Sequence, residues 1–261
     1  MSDSEPVETY NRKIWDQIAS HGDKYFVALS DTEIEEAKNG VIKFKVTPIK
    51  WVPDDWIGDV KNKHVLCLAC GGGQQAPLFA SAGANVTVYD ISDEQLTRDR
   101  EAAAEHDVDL ETIQGDMADM RELEDDRFDL IVNPCSVCYC PELSTIWREV
   151  HRVLKPGGCF VAGWIKPVNY LFDPIAMEDD EELIVARKIP YSDLDLDEDV
   201  REQILGTERA IEFGHSLTQL IGGQIEAGLN IIGFYEDRWG DDDLLSDYID
   251  VFAATCAIKP E

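Results

Sequence analysis

The sequence predicts a doubly wound α/β fold, and three observations predict it. Short, nearly all-apolar runs such as "HVLCLAC" (64–70) read as parallel strands buried on both faces. Stretches of helical spacing separate them, so strand, turn, helix and strand recur along the chain. Glycines cluster at Gly71–Gly73, where the first run ends, as they do where a buried strand turns sharply into a helix. The 261 residues, 44% of them hydrophobic, suffice for one large α/β domain with a cap.

Residues 1–55 read as a helical and extended cap segment behind a loose tail of ten residues. "NRKIWDQIAS" (11–20) sets Ile14, Trp15 and Ile18 on one helical stripe. "SDTEIEEAKNG" (30–40) opens with a cap signal at Ser30 or Asp31 and stops at Gly40. "VIKFKVTPIKWVPDDW" (41–56) is broken by Pro48 and Pro53 and reads as a short strand or an extended lead-in. The Rossmann-like domain, 56–261, then alternates regularly. "HVLCLAC", "NVTVYD" (85–90), "LETIQGD" (110–116), "FDLIVNPC" (128–135) and "CFVAGWI" (159–165) are its strands. "QAPLFASAG" (75–83), "SDEQLTRDREAAAEHD" (92–107, capped by Ser92) and "LSTIWREVHRVLKPGG" (143–158, ended by its glycines) are its helices. Residues 166–215 break the rhythm with the acidic runs "MEDDEE" and "DLDLDEDVRE". They read as a substrate-side insert, with a plain acidic loop as the alternative. "SLTQLIGGQIEAG" (216–228) is helical but interrupted by Gly222 and Gly223, and "LNIIGFYED" and "VFAATCAIK" are late strands.

Charge sets limits on partners. Fifty-three acidic residues against 23 basic ones give a formal net charge of −30. Such a surface repels nucleic-acid phosphates and anionic lipid heads, so neither is an expected partner. A solubility device for a salty cytoplasm is an alternative source of the acidity. The start of the chain lacks an apolar leader and no stretch approaches the roughly 18 apolar residues of a membrane span. With seven cysteines, an odd number, the expectation is a reduced, cytoplasmic protein. Oligomeric state has no sequence signal.

Three strand ends carry the chemistry. Gly71 and Gly73 lie past the first strand, where free amides at a helix start can meet a ligand, although a tight turn alone accounts for glycines equally well. Asp90 ends the second strand 19 positions after Gly71, which places a carboxylate beside the loop to accept from two ribose hydroxyls. A helix cap is the alternative, but Ser92 already fills it. Asp116 in "QGDM" can accept from an exocyclic amine, and Met117 can pack on an adenine ring.

With these residues, Lys63–Ile165 resembles a class I S-adenosylmethionine-dependent methyltransferase of the small-molecule group, through "GDM" and "REVHRVLKPGG". The resemblance implies seven strands with the last antiparallel, which "GLNIIGFYED" and "YIDVFAATCAIKP" fit. It implies S-adenosylmethionine as cofactor and a small-molecule methyl acceptor, neutral or cationic on this acidic surface. Cys70, Gly71, Gly73 and Gln75 would serve the methionine part, Asp90 and Ile91 the ribose, and Asp116 and Met117 the adenine. Asn133 and Cys135, in "NPCSVCY", would line the methyl-transfer face. The family's first motif usually carries an acid where this chain has Cys67, and a glycine where it has Ala69. A non-catalytic cofactor-binding protein and a nicotinamide-dependent dehydrogenase are the alternative functions.

The pairs Cys67/Cys70 and Cys135/Cys138 have C-x2-C spacing, which raises a zinc or iron–sulfur site. Cys67 lies inside an apolar strand and four thiolates would occupy the cofactor edge, so no metal is assigned. Trp15, Tyr25, Trp51, Tyr139, Tyr170 and His215 are candidates to line the acceptor. By family layout Tyr139 and His215 are the expected catalytic residues, His215 as general base. His106 and His151 read as helix-surface positions, and His21 is open.

Overall fold

The computed structural model describes residues 5–21, 28–179, 182–206, 209–240 and 243–261. Tyr25, among the expected acceptor-lining aromatics, lies outside them. Helices α1 (Val7–His21) and α2 (Asp31–Lys38) precede the sheet. Then follow β1 (His64–Leu68), α3 (Gln75–Ser81), β2 (Asn85–Asp90), α4 (Asp93–Glu105), β3 (Glu111–Gln114), β4 (Phe128–Asn133), α5 (Leu143–Val153) and β5 (Leu154–Ile165). An insert carries α6 (Pro174–Asp179), β6 (Tyr191–Ser192), α7 (Glu198–Leu205) and β7 (Phe213–Gly214). Helix α8 (Gly223–Glu226) and strands β8 (Asn230–Asp237) and β9 (Phe252–Ile258) complete the described chain.

The main sheet has seven strands in the order β3-β2-β1-β4-β5-β9-β8. β1 to β5 run parallel, and β9 is antiparallel to both β5 and β8. The two sides of each strand explain the near-continuous apolar runs. Val65 and Cys67 pack with Leu78, Phe79 and Leu96 on the α3–α4 face, while Leu66 and Leu68 pack with Ile146, Trp147 and Val150 on the α5 face. Both faces are dry, so a period of two in polarity never appears.

Caps stand where the sequence places them. Ser30 accepts from the Glu33 amide and Glu33 reaches back to the Ser30 amide, a complete capping box. The Ser92 hydroxyl accepts from Gln95 N at the head of α4. Two expectations shift. The "LKPGG" stretch belongs to β5 rather than ending α5, because Gly157 N donates to Lys259 O at 2.8 Å and Lys259 N returns to Gly158 O at 3.1 Å. Gly223 does not break its helix but lets it approach α5, since a Cβ there would fall 2.7 Å from Trp147 Cδ1.

Residues 41–52 form no ladder strand but pass over the sheet as irregular chain, bent at 46–49, and enter the core. Phe44 meets Phe79 edge-on at 5.0 Å between ring centroids, and Val46 and Val52 are buried beside it. The insert is a structured excursion, not a plain loop. Its Asp193 is 4% exposed and accepts from the Glu212 amide at 2.7 Å and from the Tyr191 hydroxyl, which ties β6 to β7.

The crossing of 41–52 over β5 depends on one glycine. A Cβ on Gly163 would lie 1.8 Å from the Val46 carbonyl oxygen, and no side-chain rotation relieves a clash with backbone. Gly163→Ala is expected to lower stability by about 1–3 kcal/mol, the range of an overpacked core. Urea unfolding measures it, and an unchanged midpoint would show that the segment is not held against β5.

Candidate active site

A cavity of about 1000 Å³ opens at the carboxyl ends of the parallel strands. In an open α/β sheet that edge is where strand order reverses and ligands bind; here β1 has β2 on one side and β4 on the other. From the β1 loop the cavity is lined by Cys70, Gly71 and Gln75; from β2 by Asp90 and Ile91; from the β3 turn by Asp116 and Met117. Cys135 and Tyr139 line it after β4.

The glycine loop has an organisation its sequence does not announce. Its three consecutive amides are already engaged by carboxylates. Gly71 N donates to Asp90 Oδ2 at 3.0 Å, Gly72 N to Asp99 Oδ2 at 3.1 Å, and Gly73 N to Asp99 Oδ1 at 3.0 Å. The expectation of free amides for a ligand is therefore corrected. A pyrophosphate brought to this loop would meet two carboxylates in place of donors, which argues against a dinucleotide. The glycines serve the loop's own packing. Gly72 and Gly73 have φ of +119° and +83°, and a Cβ on Gly71 would fall 2.7 Å from Gln95 Cβ. Ala69, where the family has glycine, sits at φ +48°. Gln75 donates from Nε2 to Lys45 O at 3.4 Å, which links the loop to the N-terminal segment.

Burial raises the Asp90 carboxyl above the ordinary range, and the amides of Ser92, Gly71 and Ile91 pull it back. Burial likewise pushes Asp99 up to about 7 against its two amide bonds. Asp116 is raised by burial and accepts from Ala118 N at 2.9 Å. Gly115 beside it can only be glycine, since a Cβ would fall 2.0 Å from the Tyr89 hydroxyl.

Three expected site residues do not line the cavity. Gly73 is turned toward α4, where a Cβ would meet Ala102 and the Arg98 carbonyl at 3.0 and 3.1 Å. Asn133 is fully buried and donates to Leu68 O at 2.8 Å and Ser136 Oγ at 2.7 Å, so it shapes the β1–β4 ends from behind. His215 is 4% exposed, its Nε2 lies 2.9 Å from the Cys140 carbonyl, and burial lowers its pKa. The ring is thus buried off the cavity wall and bonded to backbone, unlike the position expected for a base.

A different titratable group of the same segment does reach the cavity. Glu212, just before β7, borders the cavity. Burial raises its carboxyl, while Arg209 and the Tyr170 hydroxyl, donating at 2.9 Å, pull it back. Tyr170 is thus an expected lining residue that instead lies behind the wall, stacked on Tyr191. Trp15 and Trp51 do border the cavity, and Trp15 meets Tyr139 edge-on at 5.2 Å. Asn11 of α1 fixes this corner: it donates to the carbonyls of Tyr139 and Ile211 and accepts from Ile211 N. His21 is exposed, with Nδ1 against Gln17 O.

The two C-x2-C pairs fall in different clusters. Cys67 and Cys70 lie in the α3–α4 core, Cys138 beside Tyr170 and Tyr191, and Cys135 donates to Val46 O at 3.3 Å. Burial raises the pKa of Cys70, Cys135 and Cys138.

Comparison with known proteins agrees with this geometry. A family model described as a methyltransferase domain matches residues 66–162. The chain is 41% identical over 251 residues, 96% of its own length and 97% of the relative's, to YbaJ, an uncharacterized methyltransferase of Bacillus subtilis. Among solved structures it superposes on an S-adenosylmethionine-dependent methyltransferase from Mesorhizobium loti with a TM-score of 0.60 at 20% identity, covering 78% of this chain and 94% of that one. The [4+2]-cyclase SpnF has the same TM-score, 0.60, at 15% identity over 98% and 97% of the two chains, a likeness of fold alone. The relative that matches along almost the whole chain, together with the domain match across β1 to β5, shows that this protein belongs to the class I S-adenosylmethionine-dependent methyltransferases.

Proposed function

We propose that the enzyme transfers the methyl group of S-adenosylmethionine to a small neutral or cationic acceptor, held between the sheet edge and a cap made of residues 1–55 and 166–215. The observation that carries this reading is one cavity walled by Asp90 and Asp116 on the β2–β3 side and by Tyr139 and Glu212 on the β4–β7 side. Small-molecule sites span roughly 300–1,000 Å³, so about 1000 Å³ has room for cofactor and acceptor together. Six acids and three bases line it among the described residues, which favours a neutral or cationic acceptor over a nucleic-acid phosphate.

The residues fit the cofactor. S-adenosylmethionine supplies a methyl group activated on a sulfonium centre. Asp90 accepts the Gly71 amide at Oδ2 and the Ser92 amide at Oδ1, with the Ile91 amide also on it, and the two oxygens' roughly four lone-pair sites leave capacity for a ribose hydroxyl. Asp116 offers an acceptor to an adenine amine, and the Met117 thioether a soft surface to the ring. The rings of Trp15 and Tyr139 favour cationic groups across from them. Methyl transfer is an in-line displacement, so alignment and exclusion of water are the main tasks of the cap. Where the acceptor must lose a proton, Glu212, with its raised carboxyl, is the group we assign to take it. All seven cysteines are free thiols, which fits a reducing compartment, and we assign the protein to the cytoplasm.

The reading is tested by incubating the enzyme with methyl-labelled S-adenosylmethionine and a panel of small amines, phenols and carboxylic acids. Label is expected on neutral or cationic members, and transfer confined to anions would overturn the acceptor class. Asp90→Ala is expected to weaken S-adenosylhomocysteine binding about 10- to 100-fold in calorimetry, the loss of hydrogen bonds to a charged group. Unchanged affinity would refute the site map. Against an acceptor found in the panel, Glu212→Gln should lower kcat by about 10²-fold or more and remove the acid limb of its pH profile. His215→Gln, which keeps a donor toward Cys140 O, should leave that limb in place; the reverse pattern would restore the histidine as base.

A further inference from the structure

Asp99 is a buried acid that no catalytic reading of the fold calls for. It lies on α4, fully buried, on the stripe that also holds Leu96 and Ala103. An acid on such a stripe is unfavourable unless it is paired or hydrogen-bonded. Its two oxygens each accept one loop amide, Gly72 N at 3.1 Å and Gly73 N at 3.0 Å. The same loop lines the cavity through Cys70, Gly71 and Gly72. We propose that Asp99 is a positioning residue: its carboxylate clasps the Gly72 and Gly73 amides and so holds the cofactor loop in its binding form, and it does so only when ionised.

The requirement for ionisation follows from donor counting. A carboxylate accepts at both oxygens, whereas a carboxylic acid has one oxygen that carries a proton and acts as donor. Facing two N–H groups, the protonated form leaves one of them a hydroxyl oxygen, a far weaker acceptor whose own proton must find a partner in the buried site, so one clasp bond is strongly weakened. The groups around it set where this happens. Burial and the Asp90 carboxylate at the end of β2 disfavour the charge; the two amides and Arg100 of α4 favour it. Cys70 of the loop also faces Asp99, with its thiol raised by burial and therefore neutral. From α1, Asp16 approaches Asp90 through the Ser92 hydroxyl at 2.6 Å, and Arg98 of α4 donates to Ala19 O. The balance puts Asp99 at about 7, so the clasp opens and closes across the neutral range. Cofactor binding to the clasped loop then favours ionised Asp99, and by linkage binding below neutrality releases a proton.

The inference rests on Gly71–Gly73 being the cofactor loop, and the experiment separates the two. S-adenosylhomocysteine affinity is measured by calorimetry between pH 6 and 8 for the wild type and Asp99→Asn. The wild type is expected to bind about tenfold more weakly at pH 6 than at pH 8, as one group near 7 requires. Asp99→Asn should bind at pH 8 at least as weakly as the wild type at pH 6, with no further fall as the pH is lowered. The ligand's own ionisations are common to both proteins, and Asp90 is intact in the variant, so the difference between the curves isolates Asp99. No binding by the wild type at pH 8 would overturn the cofactor-loop reading together with the clasp. Wild-type affinity in the variant at pH 8, or the same pH dependence in both proteins, would overturn the clasp alone. Should the variant not fold, amide hydrogen exchange in the ligand-free wild type decides. After correction for intrinsic rates, protection of Gly72 and Gly73 should fall about tenfold from pH 8 to pH 6, and equal protection would refute the proposal.

Discussion

The arrangement on which the site depends is the capture of three successive backbone amides by two buried carboxylates. Asp90 takes Gly71, and Asp99 takes Gly72 and Gly73. The turn out of β1 would otherwise leave those donors unpaired, which a buried loop cannot tolerate. With them paired, α4 is fixed against the loop, and Asp90 sits at the edge of the cavity with lone pairs remaining. The same contact fixes the glycines, because only residues without Cβ fit between the loop and Gln95 or Ala102. The loop is shaped by its carboxylates before any ligand arrives.

The second constraint is the roof. Residues 41–52 reach the core through Phe44, Val46 and Val52, and Gln75 ties the loop to them through Lys45 O. Asn11 of α1 is nearly buried and joins the Tyr139 corner to Ile211 beside β7. Segments from the two ends of the sequence thus meet over one cavity. The cyclase with this fold shows that such a frame does not choose the chemistry; the side chains of the roof and the strand ends do.

Much of the frame was legible because it rests on local physics. Buried parallel strands wrote continuous apolar runs, and Ser30 and Ser92 wrote caps three residues ahead of their amide partners. Asp90 and Asp116 were legible because a strand end in this topology points to the ligand edge. What was not legible depends on contacts far apart in sequence. His215 and Glu212 lie three positions apart in one irregular segment, and only the fold shows which borders the cavity. The pairing of "KPGG" with Lys259 joins residues about a hundred positions apart, which no local pattern carries. Asp99 did leave a trace: an acid on the stripe of Leu96 and Ala103. Its meaning needed the loop that packs on it.

That residue also recasts the departure at Cys67. The side chain at 67 faces the α3–α4 core with no exposed surface, among Leu78, Phe79 and Leu96. An acid there would add a third carboxylate beside Cys70, which itself faces Asp90 and Asp99, in a region where burial already raises both. Like charges in a dry site disfavour one another's ionisation, so a further acid would push Asp99 toward its protonated form. A thiol fills the volume without that effect, as a small apolar group. Ala69 follows the same economy of space: at φ +48° it accepts roughly 1 kcal/mol of left-handed strain while its amide stays bonded to Tyr89 O at 2.8 Å. A thiol at 67 therefore leaves the carboxylates of Asp90 and Asp99 as the charges that face the glycine amides.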